Sequence, residues 1–151
     1  MIEYRETQDK RGQAVSHVSG IDHVAITVSD LEDACDFYRD LFGARPVNEY
    51  APNGKVLVRQ MLFGGAQFSI HQAGNGVSLV AREPTVGAAD ICLRWDGSIE
   101  SAIELLGSHN IRIIEGPAPR QTADYQPSHS VFFRDPDGNL LELMAADHPA
   151  S

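Results

Sequence analysis

One pattern of secondary structure occurs twice in this chain, and this internal repeat restricts the possible folds more than any other feature of the sequence. Residues 21–28 (IDHVAITV) and 89–95 (ADICLRW) are rich in β-branched and apolar residues, and each predicts a strand. Residues 29–43 and 98–110 follow them with a polar N-cap and apolar residues on one face, which predicts two amphipathic helices. A strand followed by a helix therefore opens each half of the chain.

Three further strands are predicted after each helix. In the first half, a short strand lies near 44–50, and a strand pair joined by two glycines lies within 55–74. In the second half, strands are predicted at 111–119, 128–135 and 139–145, the last two joined by the turn DPDGN. Two βαβββ modules result, which places the chain in the α+β class as a single domain, 20–146. Its parts are a flexible leader (1–19), module one (20–75), a connector (76–87), module two (88–146) and a tail (147–151).

Charge and composition exclude several classes of function. The net charge is −9, from 21 acidic and 12 basic residues, and no basic patch suited to a nucleic-acid backbone is present. No apolar run approaches the roughly 18 residues of a membrane span, and the first residues lack the pattern of a secretory signal. Cys35 and Cys92 are far apart and lack metal-site spacing, so we expect two buried thiols in a reducing compartment, the cytoplasm. Nucleophile elbows, phosphate-binding glycine loops and dinucleotide fingerprints are also missing.

A single carboxylate interrupts the last apolar strand. Glu142 lies between Leu141 and Leu143 in the stretch FFRDPDGNLLEL, residues 132–143. A buried charge costs several kcal/mol, by rough estimate, unless it is paired or bound to a cation. Glu142 is therefore either a metal ligand or a side chain that faces water from an edge strand.

The paired βαβββ modules, the opening IDHVAITVSDLEDACDFYRDLFG and the closing FFRDPDGNLLEL resemble the vicinal oxygen chelate superfamily over residues 20–145. This superfamily holds glyoxalase I, fosfomycin-resistance enzymes, bleomycin-binding proteins and extradiol dioxygenases. Within it, the stretches LFGGAQFSIHQAG, ADICL, EGPAPR and SVFFRDPDGNLLEL look most like the glyoxalase domain-containing protein five subgroup. The resemblance implies a cup-shaped mixed sheet of eight strands with the helices outside, and a small-molecule site inside the cup.

The superfamily takes its metal ligands from the first and last strand of each module. Carried over to this chain, the resemblance implies His23 and Glu142 as ligands, whose donor atoms suit a divalent ion such as Fe, Mn, Zn or Ni. The chain has Asp90 where the superfamily usually has His, and Ser69 where it has Glu. His71 lies two residues beyond Ser69, on the same face of its strand, and is the candidate replacement. The expected set is His23, His71 and Glu142, with Asp90 as a fourth ligand or as a partner that orients a histidine.

Strand alternation also predicts which side chains form the substrate pocket. Arg59 is expected on the same face as a clamp for an anion, with a surface ion pair as the alternative. Arg120 and Tyr125 are expected in a loop that closes over a ligand, the alternative being a loop without a role. His129 is out of phase with its neighbours and is expected on the outer face. The full predicted pocket is Arg59, Ser69, Cys92, Arg120, Tyr125, Ser130 and Phe132.

Two functions of different classes are consistent with this sequence. The first is a metal-dependent enzyme that chelates two neighbouring oxygens of a small substrate, of the lyase, epoxide-opening or extradiol dioxygenase type, with its catalytic residues unassigned. The second is a metal-free protein that binds or sequesters a small molecule, like the bleomycin-binding members, which the altered positions Ser69 and Asp90 favour. In that case His23 is a strand histidine hydrogen-bonded to a nearby carboxylate. The resemblance further implies a homodimer in which modules exchange between chains, so that His23 and Glu142 come from different subunits.

Overall fold

The structure, a computed structural model, describes residues 17–147 and contains eight strands and two helices in the predicted order. Module one has β1 Val24–Val28, α1 Leu31–Phe42, β2 Arg45–Tyr50, β3 Val58–Phe63 and β4 Ala66–Gln72. Module two has β5 Asp90–Trp95, α2 Ile99–Ser108, β6 Glu115–Gln121, β7 Pro127–Arg134 and β8 Leu140–Ala146. The predicted α+β class and the two βαβββ modules are confirmed. Residues 1–16 of the predicted leader and 148–151 of the predicted tail lie outside the described residues.

Both helices begin and end where nearby groups satisfy the free backbone groups of a helix. Asp30 Oδ1 accepts a hydrogen bond of 2.9 Å from the N–H of Asp33 at the start of α1, and Gly43 ends this helix in a left-handed conformation with φ 67°. Ser98 caps α2, which ends at Ser108 rather than at the predicted residue 110. Within residues 17–147, neither helix is long and apolar enough to cross a membrane.

Each module forms its own four-stranded mixed sheet. The strand orders are β1-β4-β3-β2 and β5-β8-β7-β6. In each sheet the first pair of neighbouring strands is parallel, and the second and third pairs are antiparallel. β1 begins at Val24 rather than at residue 21, so His23 precedes the strand, and β6 begins at Glu115 rather than at 111. β1 and β5 are edge strands, so each has one side without a neighbouring strand in the described part of the chain. The eight predicted strands thus belong to two sheets within one chain.

The two modules contact each other through the faces of the sheets that carry the helices. Ile26 of β1 points toward α1 and into the core. Tyr38 of α1 donates a hydrogen bond of 2.6 Å to Asp135 in the turn after β7, and the rings of Phe42 and Phe133 lie 6.1 Å apart. One apolar core therefore spans both modules. The opposite faces of the two sheets are left for a binding site.

Candidate metal and substrate site

The predicted ligand positions of module one lie on the face of the sheet opposite α1, here called the cup face of module one. Ala25 and Thr27 of β1 lie alongside Ser69 and His71 of β4 on this face. Ser69 is buried, and its Oγ accepts a hydrogen bond of 3.4 Å from Gln60. The Nδ1 atom of His71 is buried without a hydrogen-bond partner among the described residues, and burial lowers the pKa of this histidine. His71 is therefore an uncharged imidazole at neutral pH, with a nitrogen free for a ligand.

His23 lies just before β1, and 44% of its side chain is exposed. Its Nδ1 lies 2.7 Å from Oδ1 of Asp22, which matches the alternative role considered for this histidine. If Nδ1 carries the proton, Asp22 accepts it in a hydrogen bond and Nε2 remains available for a metal ion. A carboxylate that orients a histidine in this way is also the usual partner of a metal-bound imidazole, so the pair suits either role.

Glu142 lies in the middle of β8 between two buried leucines and points to the face opposite α2, here called the cup face of module two. Cys92 of β5 and Phe132 of β7 lie alongside it on the neighbouring strands. One of its carboxylate oxygens, Oε1, is buried and finds no hydrogen-bond partner within residues 17–147. A buried carboxylate oxygen without a donor is costly, so this position suits a cation.

The two cysteines differ in their surroundings. Cys35 is buried as predicted, but Cys92 is exposed, so the expectation of two buried thiols is wrong for Cys92. The reason is strand alternation, which turns Cys92 away from the core residues Ile91 and Leu93 on either side of it. Partial loss of hydration and the adjoining Glu142 carboxylate raise the pKa of Cys92 to about 12. The thiol next to Glu142 is therefore protonated at neutral pH.

The register of the parallel strand pairs shows which positions of the two modules correspond. In module one, Ser69 lies alongside Ala25, which is two residues after His23. In module two, Glu142 lies alongside Cys92, which is two residues after Asp90. Ser69 thus corresponds to Glu142, and His23 corresponds to Asp90, which is exposed at the start of β5. His71 lies one pleat beyond Ser69 and therefore farther along the sheet from His23.

Arg59 lies on the side of β3 that faces α1 and not on the cup face where it was predicted. Its guanidinium donates two hydrogen bonds of 2.9 Å to Glu32 of α1 and one of 2.7 Å to Glu49 of β2. The hydrogen bonds to Glu32 are the largest cause that raises the pKa of Arg59 above its usual range. The prediction was out of phase because Arg59 shares the face of the buried Met61, two residues along the strand. The alternative, an ion pair, is what the structure contains.

The hairpin of β6 and β7 carries the remaining predicted pocket residues. Arg120 lies in β6 rather than in a loop, and its guanidinium carbon lies 5.1 Å from the centre of the Phe132 ring. Ser130 of β7 is buried, and its hydroxyl has no hydrogen-bond partner in the described part of the chain. Tyr125 lies in the turn between the strands, where it is exposed and has a positive φ of 63°. Arg120, Ser130 and Phe132 share the cup face of module two with Glu142.

The connector is a part of the site that the sequence did not predict. A groove of about 490 Å³ lies next to His71 and is lined by β1 and by connector residues that include Leu79, Val80 and Pro84. Leu79 is 92% exposed, which is unusual for a leucine beside a groove. The available signal was the pair of adjacent large apolar residues at 79–80 in the connector.

The predicted ligands are not assembled in a single chain. Within residues 17–147, no group of three or more His, Cys, Asp or Glu side chains is arranged so that it could hold a metal ion. His23 and His71 belong to module one, whereas Asp90 and Glu142 belong to module two. Each cup face therefore carries part of a donor set.

Comparison with protein families assigns this architecture. The model of the Glyoxalase/Bleomycin resistance protein/Dioxygenase superfamily matches residues 20–143. The chain belongs to this superfamily. Among similar members, Glyoxalase domain-containing protein RDO1 of Mycosarcoma maydis is 34% identical over 136 residues, which cover 90% of this chain and 73% of the relative. Virulence protein STM3117 of Salmonella typhimurium is 33% identical over 126 residues, which cover 83% of both chains.

Solved structures and enzymes also occur among the superfamily members that this chain resembles. The integron cassette protein VCH_CASS1 from the mobile metagenome of V. cholerae superposes with a TM-score of 0.77 at 31% identity, covering 87% of this chain and 98% of that one. The mitochondrial methylmalonyl-CoA epimerase of Dictyostelium discoideum is 30% identical over 132 residues, which cover 83% of this chain and 78% of the relative. The relatives therefore include a named enzyme.

Proposed function

We propose that this protein is a metal-dependent enzyme that binds two neighbouring oxygens of a small substrate at a divalent ion. The observation that carries the proposal is the buried Oε1 atom of Glu142, which has no hydrogen-bond donor among residues 17–147 although it lies in an apolar strand. A cation stabilises a carboxylate in such a position. Membership of a superfamily named for glyoxalases and dioxygenases supports the same proposal.

We infer that His23 and Glu142 are two of the metal ligands and that His71 or Asp90 is the third. His71 has the chemistry of a ligand, because its imidazole is uncharged and its buried Nδ1 lacks a partner among the described residues. Asp90 has the position of a ligand, because it corresponds to His23 in the repeat. Either set combines imidazole and carboxylate donors, which suit Fe, Mn, Zn or Ni and leave coordination positions open.

We further propose that a homodimer brings the two halves of the donor set together. The modules of one chain contact each other through their helix-bearing faces, so the cup faces are free to meet a second subunit. In the described chain, the edge strands β1 and β5 each have one side without a neighbouring strand, and exposed apolar side chains such as Ile21 and Leu79 lie beside β1. With β1 of one subunit next to β5 of the other, His23 would approach Glu142 of the partner subunit.

The chain's own residues bind and orient the substrate in this proposal. When bound, the divalent ion supplies Lewis-acid stabilisation of the negative charge that develops on the substrate oxygens. Phe132 and Leu79 provide apolar contacts that exclude water from the cup. The protonated thiol of Cys92 lies beside Glu142 and adds no second negative charge there. Where Asp90 is the third ligand, the neutral His71 is left to accept a proton from the substrate at Nδ1.

A metal-free small-molecule-binding protein is the second candidate, and Ser69 favours it. This residue stands where module one would supply the counterpart of Glu142, and its hydroxyl already accepts a hydrogen bond from Gln60. A neutral hydroxyl is a weaker ligand for a divalent ion than a carboxylate. In this role the two cup faces form a receptor for the ligand, as the words bleomycin resistance in the superfamily name suggest.

Metal content separates the two candidates. We expect untagged protein to contain about one Fe, Mn, Zn or Ni ion per chain, and His23→Ala and Glu142→Gln to lose most of it. His129→Ala is the matched control, because His129 lies on the outer face as predicted, with Nδ1 2.6 Å from Asp147. A content below about a tenth of an ion per chain, unchanged in His23→Ala, would support the binding protein instead.

The reaction type is tested by loading the protein with each metal under anaerobic conditions and then adding a catechol and oxygen. Oxygen uptake with iron supports the extradiol dioxygenase type. Metal-dependent turnover of a hemithioacetal or an epoxide without oxygen uptake supports the lyase or epoxide-opening type. The variants at His71 and Asp90 identify the third ligand, since only the ligand's loss lowers the metal content.

A further inference from the structure

Arg120 is held over the cup face of module two, and the described residues use little of its hydrogen-bonding capacity. Its guanidinium lies 5.1 Å from the centre of the Phe132 ring, and its Nη1 donates a hydrogen bond of 2.8 Å to the carbonyl of Pro119. No carboxylate within residues 17–147 forms an ion pair with it. A guanidinium has five N–H donors, and stacking on an aromatic ring fixes its position without occupying them. The cation is therefore oriented and available.

The register of the strands places this cation close to the proposed metal site. Phe132 lies alongside Glu142, the proposed ligand, on the neighbouring strand. Because the guanidinium of Arg120 lies over the Phe132 ring, it is close to Glu142 as well. β6 and β8 are two strands apart in the sheet, which corresponds to about 10 Å between their backbones. An ion at Glu142 and a ligand at Arg120 would thus be separated by about the length of a small molecule.

Two serine hydroxyls on the same face also lack partners among residues 17–147. Ser128 lies alongside Arg120, and Ser130 is the next residue of β7 on this face. Both serines are buried, and neither hydroxyl has a hydrogen-bond partner in the described chain. A hydroxyl buried without a partner destabilises the fold, so a ligand that brings an acceptor would recover part of this cost.

We propose that Arg120 binds a carboxylate of the substrate, and that the substrate is therefore a small acid with its vicinal oxygen pair within about 10 Å of the carboxylate. The planar fork of the guanidinium matches the two oxygens of a carboxylate, and Ser128 offers a further donor beside it. The part of this proposal that concerns the vicinal oxygens rests on the proposed function. Carboxylate binding at Arg120 does not require a metal ion.

The first experiment compares catechol with 3,4-dihydroxybenzoate, which adds a carboxylate to the same oxygen pair. Calorimetry on Mn-loaded protein should show the acid binding roughly tenfold more tightly than catechol, a difference of about 1.4 kcal/mol, because the acid adds a charge-assisted hydrogen bond to Arg120. Arg120→Gln should abolish this preference and Arg120→Lys should retain part of it. Arg112→Gln is the matched control, because Arg112 is exposed in the loop before β6. A tenfold preference that survives in Arg120→Gln would overturn the proposal.

The second experiment separates this proposal from that of the metal site. Benzoate is titrated into protein treated with a chelator, and the side-chain Nε–H resonances of arginine are followed by NMR. A saturable shift of the Arg120 signal that is absent in Arg120→Gln and kept in Arg112→Gln supports carboxylate binding even if the protein takes up no metal. The proposal for Arg120 fails, and the metal site stands, if manganese binds but two results are negative. These are that benzoate does not shift the Arg120 signal and that 3,4-dihydroxybenzoate binds no more tightly than catechol.

Discussion

The hydroxyl of Tyr38 donates a hydrogen bond of 2.6 Å to the carboxylate of Asp135 and thereby joins helix α1 of module one to the β7–β8 turn of module two. The same carboxylate accepts hydrogen bonds from the backbone N–H groups of Asp137 and Asn139 and from the side chain of Asn139. Burial and the adjacent carboxylate raise the pKa of Tyr38 above its usual range, so the phenol stays a donor. A buried, charge-assisted hydrogen bond thus joins the two modules, in addition to their shared apolar core and the hydrogen bonds from Ser29 to Asp137.

Replacement of Tyr38 by Phe should lower the free energy of unfolding by about 1.5–3 kcal/mol, because it removes a donor from a buried charged acceptor while it keeps the ring. Urea denaturation followed by fluorescence and circular dichroism measures the change. Tyr50→Phe is the control, since Tyr50 is exposed on β2 and should change stability by less than about 0.5 kcal/mol. Equal midpoints for the two variants would show that the hydrogen bond does not hold the modules together.

The ion pair between Arg59 and Glu32 predicts a dependence of stability on pH. The hydrogen bonds from Arg59 lower the pKa of Glu32 below its ordinary value of 4.5. The pair therefore stabilises the fold above about pH 4.5, and the contribution disappears as the pH falls through the lowered pKa. Because Glu32 is largely exposed, Glu32→Gln should cost no more than about 1 kcal/mol at pH 7, and the cost should shrink as the pH falls through the lowered pKa.

Urea denaturation of both proteins at several pH values measures this difference, provided that the wild type remains folded at the lowest pH used. Glu104→Gln is the matched control, because Glu104 is exposed on α2 and has no ion pair in the described part of the chain. The free energy of unfolding of Glu104→Gln should differ from that of the wild type by close to zero at every pH. A Glu32→Gln difference that is constant with pH would contradict the assigned ion pair.

Gly116 allows the close approach of β6 to β7. Its φ is +100°, and a Cβ atom at this position would collide with the carbonyl oxygen of Ser130. Gly116→Ala should therefore destabilise the protein by about 2 kcal/mol or more, because both the backbone conformation and the strand contact must change. Gly65→Ala is the control, since a Cβ there meets open space. Thermal unfolding compares the two, and a Gly116→Ala protein as stable as the control would show that the hairpin adapts without cost.

The sequence predicted the elements well because helices and strands depend on local patterns. The repeat of β1 and α1 by β5 and α2, with polar N-caps, needs no knowledge of distant contacts. The side of the strand on which Arg59 lies was predicted wrongly, because strand alternation gives two faces but does not say which one the helix covers. Only the register with Met61 and Ile70 in the core decides that. The position of Arg120 in a strand was likewise hidden by Pro117 and Pro119, which precede it.

The arrangement of the predicted ligands could not be read from the sequence for a different reason. His23 and Glu142 were chosen by residue type and by resemblance, and each lies in or beside the predicted strand. Whether they meet depends on how modules pair, and a repeated module can pair within a chain or between chains. The helix-side contact of Tyr38 with Asp135 favours the second arrangement, since it leaves both cup faces open. Subunit exchange is therefore the step to be tested directly.

A heterodimer of two inactive variants provides that test. His23→Ala and Glu142→Gln chains with different tags are produced together, and the mixed dimer is isolated by both tags, which are then removed. If His23 and Glu142 of the partner subunit form one site, the mixed dimer contains one intact and one doubly altered site, and it should recover about half of the wild-type metal content. If both ligands come from the same chain, neither site is intact and the metal content stays as low as in each variant alone. Dimers of Glu142→Gln with His129→Ala control for the effects of mixing and tags. They should also regain about half of the metal content, because in either arrangement one of the two sites keeps an unaltered His23 and an unaltered Glu142.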